Sequence, residues 1–79
     1  MNLPLPLSKL PIGVGAVVES LPTGRSGLTR LRELGLVPGT PVRVVRRAPL
    51  GEPIEIYLRG SHVAMRNHEA AEIQVIEVV

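Results

Sequence analysis

The side chains able to bind a metal ion are few in this sequence, and they lie near its C-terminal end. His68 and Glu72 are four residues apart, as two ligands on one helical face would be, and His62 precedes them. A site built from protein ligands needs three or four such groups at fixed spacings, and a second histidine at such a spacing is missing. We therefore predict no metal or cofactor site; should a metal bind, His62, His68 and Glu72 are the candidate ligands.

Groups for covalent or acid–base catalysis are scarcer still. The sequence contains no Cys and no Asp, and no Ser stands with a His and a carboxylate in a known catalytic spacing. The segment from Gly13 to Val18 resembles the start of a dinucleotide fingerprint, but the third glycine and the following helix are missing. We predict that the protein is not an enzyme and has no catalytic residues.

Arginine supplies the other candidate chemistry, which is contact with phosphates. The arginines that could cluster on neighbouring strands are Arg43, Arg46, Arg47, Arg59 and Arg66. Small barrels that bind single strands also rely on several stacking aromatic rings, whereas this sequence has no Phe, no Trp and only Tyr57. We predict no nucleic-acid partner, and keep a nucleic-acid-binding barrel as an alternative.

Protein binding is the function that the remaining side chains favour. Interface anchors are typically aromatic, aliphatic or arginine residues in a desolvated centre. Leu50 stands in a loop and Tyr57 is the single aromatic residue, while Arg47 and Arg59 could rim such a patch and steer an acidic partner. We predict these four residues as partner-binding; the alternative is an ordinary solvated arginine face.

A small, mainly β domain must position these groups. The 79 residues leave room for one core. Because the chain has no Cys and so no disulfide, its aliphatic core alone must hold the fold together. Apolar and polar residues alternate, and this pattern predicts strands over 14–21, 40–47, 54–59, 62–66 and 73–79. About five short strands joined by short links favour a small SH3-like barrel, with one short helix after the first strand.

The turns of this barrel depend on glycine and proline. Leucines at 28, 31 and 34 predict a short helix with one packed face. Gly35 is expected to end it, Pro38 and Gly39 to turn the chain, and Gly60 with Ser61 to form a tight hairpin connection. We predict Gly35, Pro38, Gly39 and Gly60 to be structural.

The N-terminus is the least regular part of the sequence. Residues 1–6 are Pro-rich and are predicted to form an extended, polyproline-like segment before a barrel domain over 7–79. We expect no signal peptide, and no apolar run approaches the roughly 20 residues that span a membrane. The net charge of +2 is slight. We expect a soluble, cytoplasmic protein without membrane insertion, and self-association through a strand edge stays open.

The helix-to-strand corner resembles the signature of a known family. The segments that carry the resemblance are LRELGLVPGTPV at 31–42, RRAPLGEPIEI at 46–56, RG at 59–60, VAMR at 63–66 and EA at 69–70 leading to IQV at 73–75. In order and spacing they are similar to the FeoA family of bacterial ferrous iron transport. The same domain also resembles the C-terminal module of DtxR-type iron-dependent repressors.

This resemblance implies a partner more than an active site. It implies an SH3-like barrel that acts as an accessory protein of ferrous iron uptake. Its expected partner is the cytoplasmic part of FeoB, a membrane permease with a GTP-binding domain, whose transport or assembly it would modulate. No catalytic or metal-binding residue set carries over from the family. Direct binding of ferrous iron or another transition metal stays an alternative.

Overall fold

The computed structural model describes residues 2–22 and 26–78. Its strands are β1 (Leu5–Pro6), β2 (Gly15–Ser20), β3 (Pro41–Arg47), β4 (Ile54–Leu58), β5 (Ser61–Met65) and β6 (Gln74–Glu77). Helix α1 (Ser26–Glu33) lies between β2 and β3, α2 (Asn67–Ala70) follows β5, and Leu7–Lys9 form a 3-10 turn. All strands belong to one antiparallel sheet in the order β1-β6-β2-β3-β4-β5.

The predicted mainly β fold is confirmed, and the sheet has six strands where about five were predicted. The alternation of apolar and polar residues predicts one inward face for each strand, and the side chains of that face form the core. In β4, for example, Ile54, Ile56 and Leu58 are buried and the two residues between them are not. A single hydrophobic cluster joins these side chains to those of β2, β3, β5 and β6.

The sixth strand comes from the N-terminal segment, and the chain leaves its extended path only in the 3-10 turn that follows this strand. Leu5 pairs with Val75 of β6, and the 3-10 turn that follows buries Leu7 and Leu10 completely. The Leu7 N–H donates to the Ile73 carbonyl at 2.8 Å. Proline interrupts regular structure, but it is tolerated in an edge strand and at the start of a helical turn. The prolines of this segment therefore do not prevent Leu7 and Leu10 from facing the core.

The predicted leucine face of the helix is only partly realised. Leu31 is buried, whereas Leu34 lies beyond the last residue of α1 and is 47% exposed. The side chain of Leu28 lies outside the described residues. Instead of Leu34, the chain buries Leu36, whose N–H donates to the Leu31 carbonyl at 3.0 Å as the helix unwinds.

The corner after α1 consists of two glycine-dependent turns. Gly35 has a φ of +107°, which an L side chain rarely adopts, and its N–H closes the helix on the Arg32 carbonyl at 2.9 Å. Pro38 and Gly39 then occupy the centre of a β-turn, because the Thr40 N–H donates to the Val37 carbonyl at 3.1 Å and Gly39 has a φ of +93°. This turn delivers the chain into β3.

The hairpin between β4 and β5 turns one residue earlier than predicted. Leu58 pairs with Ser61, so Arg59 and Gly60 are the two turn residues, and the predicted Gly60–Ser61 connection is wrong. Both turn residues have positive φ, at 48° and 79°. That pair of values belongs to the type I′ turn, which matches the twist of two antiparallel strands. Its first position disfavours an arginine, which is why the sequence pointed to the glycine instead.

A candidate protein-binding groove

A groove of about 550 Å³ opens at the surface between β2, β3 and the β4–β5 hairpin. We call it the Tyr57 groove. It is lined by Gly15, Ala16, Val17, Pro41, Val42, Arg43, Tyr57, Arg59, Gly60 and Val78. Its walls are aliphatic or aromatic apart from two arginines, and no acidic side chain is among them. A groove of this composition suits an apolar group carried on an acidic surface.

The pairing of β2 with β3 builds the apolar part of the groove. Ala16 lies opposite Val42, and both line the groove from below although their side chains belong to the hydrophobic core. Val17 lies opposite Pro41 beside them. Val78, which is 54% exposed, is held there because its N–H donates to the Gly15 carbonyl at 2.9 Å. The C-terminal end of the chain thus contributes one wall.

Tyr57 is held between two side chains from the neighbouring strands. The sheet register places it between Arg43 on β3 and His62 on β5. The guanidinium carbon of Arg43 lies 5.5 Å from the centre of the Tyr57 ring, within range of a cation–π interaction. The His62 ring meets the Tyr57 ring edge to face, with 5.2 Å between the ring centres. These contacts restrict the tyrosine ring before any partner arrives.

Arg59 is positioned by the corner at Gly35. Its Nε donates to the Gly35 carbonyl oxygen at 3.3 Å. Its Cδ lies so close to Gly35 that a Cβ added there would be only 2.5 Å from it. The hydroxyl of Thr40 donates to the same carbonyl at 2.9 Å. The signature glycine therefore makes room for an arginine of the groove.

The other two predicted partner-binding residues lie elsewhere. Leu50 is 96% exposed and lies in the loop that precedes Ile54, the first residue of β4. Tyr57 is three residues after Ile54 on that strand, which places it about 10 Å further from the loop. Arg47 is half-buried, and its Nη2 donates to the Leu10 carbonyl at 2.9 Å, which ties β3 to the N-terminal segment. The structure brings together Tyr57 and Arg59 but not Leu50 and Arg47.

Sequence reasoning missed several residues of the groove. Arg43 was considered only for phosphate contact, and Val17, Pro41 and Val78 were not singled out. The strand register, read from the hairpin, would have placed Arg43 beside Tyr57. The position of Val78 had no signal in the sequence, because it depends on how the C-terminal strand meets β2.

The metal candidates are not assembled into a site. His62 Nδ1 lies 2.6 Å from Glu55 Oε2, and the other oxygen of Glu55 lies 3.8 Å from Arg46 Nη1. His68 is exposed in α2, a different element, and Glu72 follows that helix. Across residues 2–22 and 26–78, no group of three or more His, Cys, Asp or Glu could hold a metal ion.

Four of the five arginines considered for nucleic-acid binding are engaged in contacts within the protein. Arg43 stacks on Tyr57, while Arg47 and Arg59 donate to backbone carbonyls. Arg46 lies within salt-bridge distance of Glu55.

Within the part of the chain that the structure describes, no helix has the length and apolar character needed to cross a membrane.

Comparison with known proteins finds a family model that matches almost the whole chain. The model of the FeoA domain matches residues 5–77. FeoA of Chlorobium tepidum is 39% identical with a TM-score of 0.86, over 100% of this chain and 71% of that one. FeoA of Stenotrophomonas maltophilia, solved in complex with zinc and described as a prokaryotic SH3 domain protein, is 40% identical with a TM-score of 0.76, over 87% of this chain and 86% of that one.

The predicted SH3-like fold is confirmed by these neighbours. The same fold recurs in IdeR of T. acidophilum, which is 15% identical with a TM-score of 0.84. The match covers 99% of this chain but 36% of that one, and at this low identity the likeness shows the fold alone.

Proposed function

Because this chain belongs to the FeoA family, which is associated with ferrous iron transport, we propose that it is an accessory protein of a FeoB-type permease. It binds the cytoplasmic part of that GTP-dependent permease and modulates its transport or assembly. The observation that carries the proposal is the Tyr57 groove, because it is preformed, apolar and rimmed by arginine.

The groove is built to receive an apolar side chain from a partner. Hot spots of protein interfaces are pockets that exclude water around an aromatic or aliphatic anchor. The Tyr57 ring is already restricted by Arg43 and His62, so little side-chain freedom is lost when a partner binds. Arg43 and Arg59 at the rim favour acidic surroundings on the permease.

The test is direct binding between this chain and a purified FeoB-type permease, measured by biolayer interferometry at low salt. Tyr57→Ala should weaken the complex by about tenfold or more, as loss of a hot-spot aromatic does. Leu3→Ala is the matched control, because Leu3 is 79% exposed and lies outside the groove. Leu50→Ala tests the loop separately. Absence of any complex, or full binding by the Tyr57 variant, would refute the proposal.

Direct binding of ferrous iron is kept as a second candidate by one contact. His62 Nδ1 and Glu55 Oε2 lie 2.6 Å apart as a hydrogen-bonded pair and both side chains reach solvent, so a ferrous ion bound there would replace the proton between them and take its other ligands from water. An anaerobic ferrous iron titration that follows the ring resonances of His62 and His68 distinguishes the cases. Saturable broadening at His62 alone supports this second function, whereas equal, non-saturating broadening at both rings excludes it.

A further inference from the structure

Strand β5 ends the sheet and presents an unpaired edge. It is last in the strand order and pairs only with β4 among residues 2–22 and 26–78. Its two-residue hairpin makes Leu58 and Ser61 a hydrogen-bonded pair, and pairs alternate along an antiparallel ladder. The backbone N–H and C=O groups of His62 and Ala64 therefore point away from β4. They form a template to which another strand can add.

A second groove, of about 350 Å³, runs beside the far end of this edge. Ala64, Met65 and Arg66 line it together with Pro53 and with Arg30 of α1. Both arginines are exposed. Glu69 also lines the groove, but its Oε1 accepts the Arg66 N–H at 3.0 Å, so its carboxylate caps α2. The cavity thus combines a free strand edge with two basic side chains.

We propose that the β5 edge binds an extended, acidic segment of a partner protein by strand addition. Its backbone pairs with His62 and Ala64, and one of its carboxylates lies between Arg30 and Arg66. Backbone pairing supplies affinity in this mode, and the side-chain groove supplies selectivity. The second groove lies at the opposite end of β5 from the Arg59–Gly60 turn and shares no lining residue with the Tyr57 groove, so the proposal does not depend on the function proposed for that groove.

Charge argues for an acidic segment and against a second copy of this chain. Residues 61–66 include His62 and Arg66 and no acidic residue. Two such edges paired antiparallel offer Arg66 no carboxylate from the other strand, so no ion pair is gained. An acidic strand supplies that carboxylate.

The experiment is a titration of the full ¹⁵N-labelled chain with a synthetic peptide that alternates glutamate and valine, followed by NMR. Strand addition predicts that the amide signals of His62 and Ala64 shift most and become protected from hydrogen exchange. Two matched peptides separate the contribution of backbone pairing from that of charge. Methylation of alternate peptide nitrogens keeps the charge but removes the edge bonds, and lysine in place of glutamate keeps the edge bonds but reverses the charge. Both should fail to bind.

Variants of the protein complete the test. Arg30→Gln combined with Arg66→Gln should weaken the peptide complex about tenfold, since two exposed ion pairs are removed. Lys9→Gln, which removes a positive charge outside both grooves, should leave peptide binding unchanged. Equal binding of the N-methylated peptide, shifts centred away from β5, or no binding at all would overturn the proposal. So would shifts at β5 that grow with protein concentration before any peptide is added, because the occupant would then be a second copy.

Discussion

The carbonyl oxygen of Gly35 accepts hydrogen bonds from two side chains, Thr40 Oγ1 at 2.9 Å and Arg59 Nε at 3.3 Å. The same residue holds a φ of +107° and leaves the space that the Arg59 side chain crosses. Backbone conformation, close approach and hydrogen bonding therefore meet at one position. This explains physically why the helix-to-strand corner both shapes the barrel and orients a side chain of the Tyr57 groove.

Gly35→Ala should destabilise the fold more than Gly39→Ala. Both glycines have positive φ, so each substitution costs about 1 to 2 kcal/mol of backbone strain. A Cβ at Gly39 meets nothing within 4 Å, whereas one at Gly35 would lie 2.5 Å from Arg59 Cδ. The excess should appear as a lower urea midpoint for the Gly35 variant.

The origin of that excess can be isolated with Arg59→Ala. In this background the steric term is gone, so Gly35→Ala and Gly39→Ala should cost similar free energies of unfolding. If the difference between the two glycine variants survives without the arginine side chain, the close approach seen at Gly35 is not its cause.

Thr40→Val tests the buried hydroxyl that bonds the Gly35 carbonyl. Thr40 is 2% exposed, and the change keeps its shape while removing the donor. We expect a loss of about 1 kcal/mol in the free energy of unfolding, measured by urea denaturation. Thr29→Val is the control, because Thr29 is exposed on α1 and should tolerate the same chemical change at almost no cost. Equal effects at the two sites would contradict this reading.

At the scale of elements, the 3-10 turn and the leucine that follows it are part of the core. Leu7 and Leu10 are completely buried, and Arg47 of β3 donates to the Leu10 carbonyl. Leu10→Ala should therefore cost about 2 to 5 kcal/mol, the usual range for a truncated core leucine. Leu3→Ala, at a 79% exposed position, should change stability by less than about 0.5 kcal/mol. Thermal or urea unfolding followed by circular dichroism measures both, and equal losses would show that the segment is not docked.

Periodicity predicted the strands better than it predicted their ends. Alternation in β4 identified the buried residues, because a half-buried sheet surface imposes a period of two. The Arg59–Gly60 turn was missed by one residue, since its first position needs a positive φ, which an arginine rarely adopts. The 3-10 turn at Leu7–Lys9 was missed because prolines signal a break in structure and not the burial of the residues between them.

The candidate site shows the same division. Residue type singled out Tyr57 and Arg59, which the strand register places in one groove. The same reasoning grouped Leu50 with Tyr57, although opposite ends of one hairpin separate them. Composition identifies which side chains can anchor a partner, but only the register of β3, β4 and β5 decides which of them share a surface. Their role in partner binding stays a prediction.

For the molecule as a whole, a net charge of +2 understates how the charge is arranged. Among the described residues, the Tyr57 groove is lined by two arginines and no acidic residue, and the second groove, beside β5, by two more arginines and one carboxylate that caps α2. Both faces therefore present positive potential to an approaching protein. Local potential of this kind changes association rates more than it changes the strength of the final complex.

Association with the permease should consequently slow as salt is raised. The Debye length shrinks from about 30 Å at 0.01 M to about 10 Å at 0.1 M ionic strength, so arginines outside direct contact stop attracting an acidic surface. Arg43→Gln and Arg59→Gln should each lower the association rate at low salt, and by less at high salt. Lys9→Gln removes the same charge from the 3-10 turn beside α2, outside the groove, and should leave the rate within about twofold. Stopped-flow binding at several salt concentrations measures these rates. A salt-independent rate, or equal effects of the lysine and arginine variants, would mean that the groove does not face the partner during encounter.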